Sequence, residues 1–159
     1  MVTKYFFNFF ESGGILVSMT NILFLCVGNS ARSQIAEGLA IEMFDPHSFD
    51  IQSAGSHPAG YVHENAIATM SNIGIDISQA KSKSIEELED SFLENINYVI
   101  TLCSEEICPT LPSKAIKLHW PNPDPADVNL NHAQSKVAFT ECRKSIYNLV
   151  KKLFTELHC

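Results

Sequence analysis

The stretch Cys26-Val27-Gly28-Asn29-Ser30-Ala31-Arg32-Ser33 holds the residue types needed to clamp and attack a tetrahedral oxyanion. Five residues separate the cysteine from the arginine, and a serine follows at once. A loop this short wraps into a nest of backbone N–H groups aimed at one anion. A helix opening at Ser33 adds the partial positive charge of its N-terminus. Arg32 can hold two oxygens with its planar fork. A positive field favours the thiolate, so Cys26 is predicted as the nucleophile. Ser33 is placed to donate a hydrogen bond to that thiolate. Gly28 and Asn29 are expected to supply the left-handed backbone of a tight loop. The predicted oxyanion cradle is therefore Val27, Gly28, Asn29, Ser30, Ala31, Arg32 and Ser33. In isolation Cys26 could be a buried strand residue and Arg32 a surface cation. The apolar run before and the amphipathic pattern behind favour the chemical role.

Other elements must hold this loop in place. Ile22-Leu23-Phe24-Leu25 is a continuous apolar run, the pattern of a strand buried on both faces. Ile35, Ala36, Leu39, Ala40 and Met43 recur at helical spacing until Asp45-Pro46. Phe49 to Ala54 alternates with period two, as an edge strand does. Ala66, Ile67, Met70 and Ile73 form the next helical stripe, with Gly74 as its C-terminal cap. Ser84-Ile85-Glu86-Glu87 reads as a capping box on a short helix. Tyr98 to Cys103 is a second buried strand, and Ala115 to Leu118 a short alternating one. The last helix carries Val137, Ala138, Cys142, Ile146, Leu149, Val150, Leu153 and Leu157 on one face. Alternating strands and helices predict an α/β fold, a four-stranded parallel sheet with helices on both faces. The two apolar strands should be central. Ligands bind such sheets beyond the carboxyl ends of the strands, where Cys26 lies.

The 159 residues make one domain, predicted to span 19–159. Hydrophobic residues are 45% and charged residues 18%, which excludes a disordered chain. A net charge of −7 argues against nucleic acid or an anionic membrane surface as partner. No apolar run approaches the ~20 residues of a membrane helix. Five cysteines do not make a secreted disulfide framework, so a reducing, cytoplasmic compartment is expected. The segment 1–18 is either an extension or the product of a start placed too early. The second is favoured, because a strong strand pattern follows Met19. The histidines show no ligand spacing.

Several further motifs accompany the cradle: Gln34-Ile35-Ala36-Glu37-Gly38, Ser53-Ala54-Gly55, Val99-Ile100-Thr101-Leu102-Cys103, Cys108-Pro109, His119-Trp120 and Asp124-Pro125-Ala126. On these residues the chain resembles the low-molecular-weight protein tyrosine phosphatase superfamily, and within it the thioredoxin-coupled arsenate reductases. The resemblance covers residues 20–157. It implies Asp124 as general acid on a loop over the cradle, and a proline-braced carboxylate suits that task. It implies that Cys26 attacks arsenate, that Cys103 then attacks Cys26, and that Cys108 carries the disulfide outward for thioredoxin. Only four residues separate Cys103 from Cys108, a shorter spacer than in the relatives. The alternative is a phosphatase hydrolysing phosphotyrosine or another phosphomonoester through a phosphocysteine. Ala126 stands where the tyrosine phosphatases carry an aromatic residue, which favours a small inorganic oxyanion. Some members hold potassium near the cradle through a carboxylate. Lys83 occupies that position here, so no metal and no other cofactor are expected. Cys142 is expected in the core and Cys159 free.

Overall fold

A computed structural model describes residues 18–104, 111 and 114–159. The elements are β1 (Thr20–Cys26), α1 (Arg32–Met43), β2 (Phe49–Gly55), α2 (Glu64–Ser71), a 3-10 turn (Ile85–Glu87), α3 (Asp90–Glu94), β3 (Ile96–Thr101), β4 (Ile116–His119) and α4 (His132–Leu157). The strands are all parallel, in the order β2-β1-β3-β4. The two unbroken apolar runs are thus central and the two alternating strands are edges, as their patterns require. No helix among the described residues is long and apolar enough to cross a membrane.

Side-chain alternation along β1 divides the core. Ile22, Phe24 and Cys26 face α1, α2 and α4, against Ile35, Leu39, Met70, Phe139, Ile146 and Val150. Leu23 and Leu25 face the other way, under Leu88 and Phe92. The pairing of β1 with both neighbours, Cys26 opposite Gly55 of β2 and Leu25 opposite Thr101 of β3, puts Cys26 at the carboxyl end of the sheet.

Three local expectations change. Ile73 falls after the end of α2, in the turn before Gly74 at φ 81, and is 44% exposed instead of lying on the helical stripe. The cap of α4 at Asn131, bonded reciprocally with Gln134, sets a helix phase in which Phe139, Cys142, Ile146, Val150 and Leu153 are buried. Val137 points outward on that phase and is 62% exposed. β3 ends at Thr101, so Cys103 lies just beyond the strand. Cys108 and residues 1–17 lie outside the described residues.

Gly55 closes β2 against the cradle. Its N–H donates to the Lys83 carbonyl at 2.9 Å. A Cβ there would overlap the Val27 carbonyl oxygen and lie 2.9 Å from the Asn29 nitrogen. Both are backbone atoms of the loop, which cannot yield as a flexible side chain would. Gly55→Ala should therefore cost about 2 kcal/mol. Urea unfolding would show a lower midpoint at unchanged slope. A midpoint equal to the parent's would mean that the loop accommodates the methyl.

Candidate active site

The loop from Val27 to Ala31 turns its carbonyls away from its centre. The Val27 oxygen accepts from His57 N, the Gly28 oxygen from Ala59 N, the Ser30 oxygen from His63 N and the Ala31 oxygen from Ile35 N, each at 2.9 Å. The Asn29 oxygen accepts from Gln34 Nε2 at 3.2 Å. In a planar trans peptide the next N–H points opposite to the carbonyl. Five anchored carbonyls therefore turn the N–H groups of residues 28–32 to the inner side of the loop. The N-cap of α1, Ala31, has no capping side chain, and the first turn of α1 holds no acidic residue. That end of the helix keeps donors for an anion.

One residue sets the loop's shape. Asn29 is fully buried and has φ 43, the only positive φ of a non-glycine among the described residues. Gly28 does not share that conformation, contrary to expectation: its φ is not positive, and a methyl there would meet Ala59 Cβ only at 3.9 Å. Asparagine tolerates the left-handed region better than most side chains, and here its amide is fully used. Asn29 Oδ1 accepts from the Lys83 main-chain N–H at 2.9 Å and from Gln34 Nε2 at 2.9 Å. Asn29 Nδ2 donates to Ser33 Oγ at 2.8 Å and to Ser53 Oγ at 2.9 Å.

These bonds carry a direction. The Lys83 N–H can only donate, so Oδ1 and Nδ2 of Asn29 are assigned without ambiguity. Ser33 Oγ accepts from Asn29, which leaves its own proton for Cys26 Sγ, 2.9 Å away. The serine thus donates to the sulfur, the polarity a thiolate needs. On the other branch Ser53 Oγ donates to Glu37 Oε2 at 2.5 Å. Burial pushes the Glu37 carboxyl above its ordinary range, opposed first by Lys83 and then by the bonds from Ser53. Lys83 Nζ stands 3.8 Å from Glu37 Oε1.

Arg32 opens α1, is 4% exposed, and donates from Nη1 to the Asn122 carbonyl at 2.9 Å. Asn122 in turn donates from its N–H to the Leu102 carbonyl at 3.1 Å. Arg32 thus ties the cradle to the loop that carries Asp124. Asp124 is exposed and accepts from the Ala126 N–H at 3.0 Å. Cys142, on α4, senses Arg32, Asp124 and Cys26 together, and burial pushes its thiol up to about 12. A core cysteine in the sequence is therefore a neutral S–H beside the site. Cys103 is 1% exposed and belongs to the same core cluster as Cys26. Trp120 packs on Phe24 with ring centroids 5.9 Å apart, and His119 Nδ1 meets Thr101 Oγ1 at 2.8 Å.

Sequence reasoning missed Asn122 and the use of Ser53, Glu37 and Gln34 as supports. Ser53 and Gln34 stood within the motifs noted. Asn122 sat in the proline-rich loop, with no local sign that its carbonyl would receive an arginine.

Residues 21–159 match the model of the low molecular weight phosphotyrosine protein phosphatases, and the chain belongs to that family. Its relatives include an arsenate reductase of Halalkalibacterium halodurans, 36% identical over 132 residues, which are 82% of this chain and 91% of that one. A solved arsenate reductase in the phosphate binding state superposes with TM-score 0.70 at 31% identity, covering 87% of this chain and 98% of the other. The thioredoxin-dependent arsenate reductase of Corynebacterium glutamicum superposes with TM-score 0.67 at 28% identity, covering 91% of this chain and 64% of that one.

The Glu37–Lys83 pair yields a pH-dependent prediction. Lys83→Met removes the largest pull that keeps Glu37 ionised, while the Lys83 main-chain bond to Asn29 stays. Glu37 should then titrate at a higher pH than in the parent, read from its side-chain carbonyl in a 13C NMR titration. A carboxyl whose folded pKa lies above its unfolded one favours folding when protonated, and this stability is lost as pH rises through the folded pKa. The stability gap between parent and variant should accordingly be small in acid and widen as pH rises. A Glu37 titration unmoved by the substitution would show that the ammonium does not act on it.

Proposed function

We propose that this protein reduces arsenate to arsenite, with Cys26 as nucleophile, Arg32 and the loop N–H groups as oxyanion clamp, Asp124 as general acid, and Cys103 and Cys108 as relay. The observation that supports reduction over simple ester hydrolysis is the second buried thiol. β1 and β3 are neighbours, Leu25 pairs with Thr101, and Leu102 N donates to the Leu25 carbonyl at 2.9 Å. Cys26 and Cys103 therefore leave adjacent parallel strands at the same end, with Cys103 one residue beyond the position in register with Cys26. Hydrolysis has no use for that thiol.

The sequence of bonds follows from the chemistry. The Cys26 thiolate attacks the arsenic, and an oxygen leaves as water after taking a proton from Asp124. Cys103 then attacks Cys26 Sγ, and the sulfur–arsenic electron pair stays on arsenic. Arsenite departs, and the two thiols have become a disulfide. Cys108 attacks Cys103, frees Cys26, and presents the new disulfide for reduction. We assign that reduction to a thioredoxin, in line with the thioredoxin dependence of the Corynebacterium relative. A cytoplasmic setting suits the scheme, because a relay of thiols needs a reducing compartment to be reset. The residue after Asp124-Pro125 is Ala126, which has no ring to stack on a phosphotyrosine. Hydrolysis of a phosphomonoester is the second reading. Cys26, Arg32 and Asp124 would suffice for it, and the family model favours it.

One turnover with arsenate and no reductant should release arsenite and leave a disulfide that includes Cys103, mapped by peptide mass spectrometry. Cys108→Ser should stop with Cys26 joined to Cys103. Cys26→Ser should lose at least about a thousandfold in rate, since a serine hydroxyl has no strong base beside it. Arsenite without a Cys103 disulfide would refute the relay. Aryl phosphate hydrolysis without arsenite would establish the phosphatase instead.

A further inference from the structure

The loop that carries Asp124 is braced within itself by prolines and short turns, and few of its main-chain groups bond to the rest of the fold. Pro121, Pro123 and Pro125 remove three main-chain donors from five consecutive residues. Most of the loop is also outside the core: Pro121, Pro123, Asp124, Asp127 and Asn129 are exposed, and Val128 is 95% exposed. Only Asn122 and Pro125 are buried along 121–129. Those same two residues have their carbonyls taken by side chains from elsewhere. Arg32 holds the Asn122 oxygen at 2.9 Å. Ser135, in the first turns of α4, donates its hydroxyl to the Pro125 oxygen at 3.2 Å.

Ser135 is itself held. Its Oγ accepts from Asn65 Nδ2 at 3.2 Å, and Asn65 is 7% exposed in the first turn of α2. α2 starts from the cradle: its N-cap residue His63 donates its N–H to the Ser30 carbonyl at 2.9 Å. The His63 ring stacks on Phe139 of α4 with centroids 4.6 Å apart, and its Nδ1 accepts from Asn65 N at 3.1 Å. An unbroken path thus runs from Ser30 in the cradle, through His63 and Asn65, to Ser135 and the carbonyl one residue after Asp124.

We propose that Asn65 and Ser135 are positioning residues that set Asp124 over the cradle. Arg32 fixes the loop before the acid and Ser135 fixes it after. The bridge from Asn65 refers that second anchor to the same loop that binds the anion. These two hydrogen bonds tie both sides of the acid to the cradle, beside the burial of Asn122 and Pro125 and the packing of Ala126 on the core. Neither residue touches the reacting atoms. The proposal rests on the reading of Asp124 as general acid, and the test separates the two.

The experiment is a double-mutant cycle on the reaction that the protein catalyses, arsenate reduction or aryl phosphate hydrolysis. Asp124→Asn should slow kcat by about a hundredfold, the share of a general acid. Ser135→Ala should slow kcat by about tenfold with KM for the anion unchanged, because the cradle stays whole while the acid drifts. Ser135→Thr keeps a hydroxyl and should restore most of the rate. Asn65→Ala should copy Ser135→Ala in weaker form. The decisive variant is Ser135→Ala with Asp124→Asn. It should be no slower than Asp124→Asn alone, since Ser135 acts only through the acid. A purely structural serine would give multiplying losses, and that result would overturn the proposal. An unchanged kcat in Ser135→Ala beside a slow Asp124→Asn would overturn the bridge alone. A full rate in Asp124→Asn would overturn the acid assignment, and the bridge with it.

Discussion

The site depends on the side-chain amide of Asn29. It is fully buried in a left-handed backbone position. Burying an unbonded amide would cost several kcal/mol, and this one is bonded to Ser33, Ser53, Gln34 and Lys83. These bonds gather the cradle, the start of α1, the end of β2 and the segment before the 3-10 turn onto one side chain. The backbone reversal at this residue helps turn the loop carbonyls outward. The proton direction it imposes on Ser33 is what makes the serine a donor to Cys26. Shape and electrostatics at the sulfur therefore have a common origin.

The sheet supplies the rest. With the order β2-β1-β3-β4, the connections leaving β1 and leaving β3 part to opposite sides. The opening at their carboxyl ends is where open α/β sheets bind ligands. Cys26 ends one of these strands and Cys103 follows the other. The proposed nucleophile and the proposed relay thiol thus leave the sheet at the same end. The loop that carries Asp124 is tied to the cradle by Arg32, whose Nη1 donates to the Asn122 carbonyl. The arginine proposed as anion clamp thus also anchors the segment before the proposed acid.

Much of this was legible from the chain. β1 and β3 read as central because unbroken apolar runs leave no solvent face. The cradle read as an anion site because cysteine, turn residues, arginine and a helix start occur in one short span. The errors have local causes. Gly28 was given a left-handed role on residue type alone, whereas Asn29 alone takes it. Ile73 was counted with α2 because periodicity does not mark where a helix frays into a turn. Val137 was placed on the buried face of α4 because the stripe was phased without the cap at Asn131. Asn65, Asn122 and Ser135 gave no signal at all. Their bonds join residues 10 to 90 positions apart, and polar residues of these types are common on any surface.

The central claim is that Asn29 shapes a cradle around Cys26 that binds a tetrahedral oxyanion. Its most direct test is the melting temperature of the parent and of Asn29→Ala, each with and without phosphate. An anion that binds only the folded state stabilises it by about 2.7 kcal/mol at a hundred times its Kd. The account predicts a rise of several degrees in the parent and none in Asn29→Ala, whose circular dichroism still shows the α/β fold. An equal rise in both proteins would place the anion elsewhere and contradict the account.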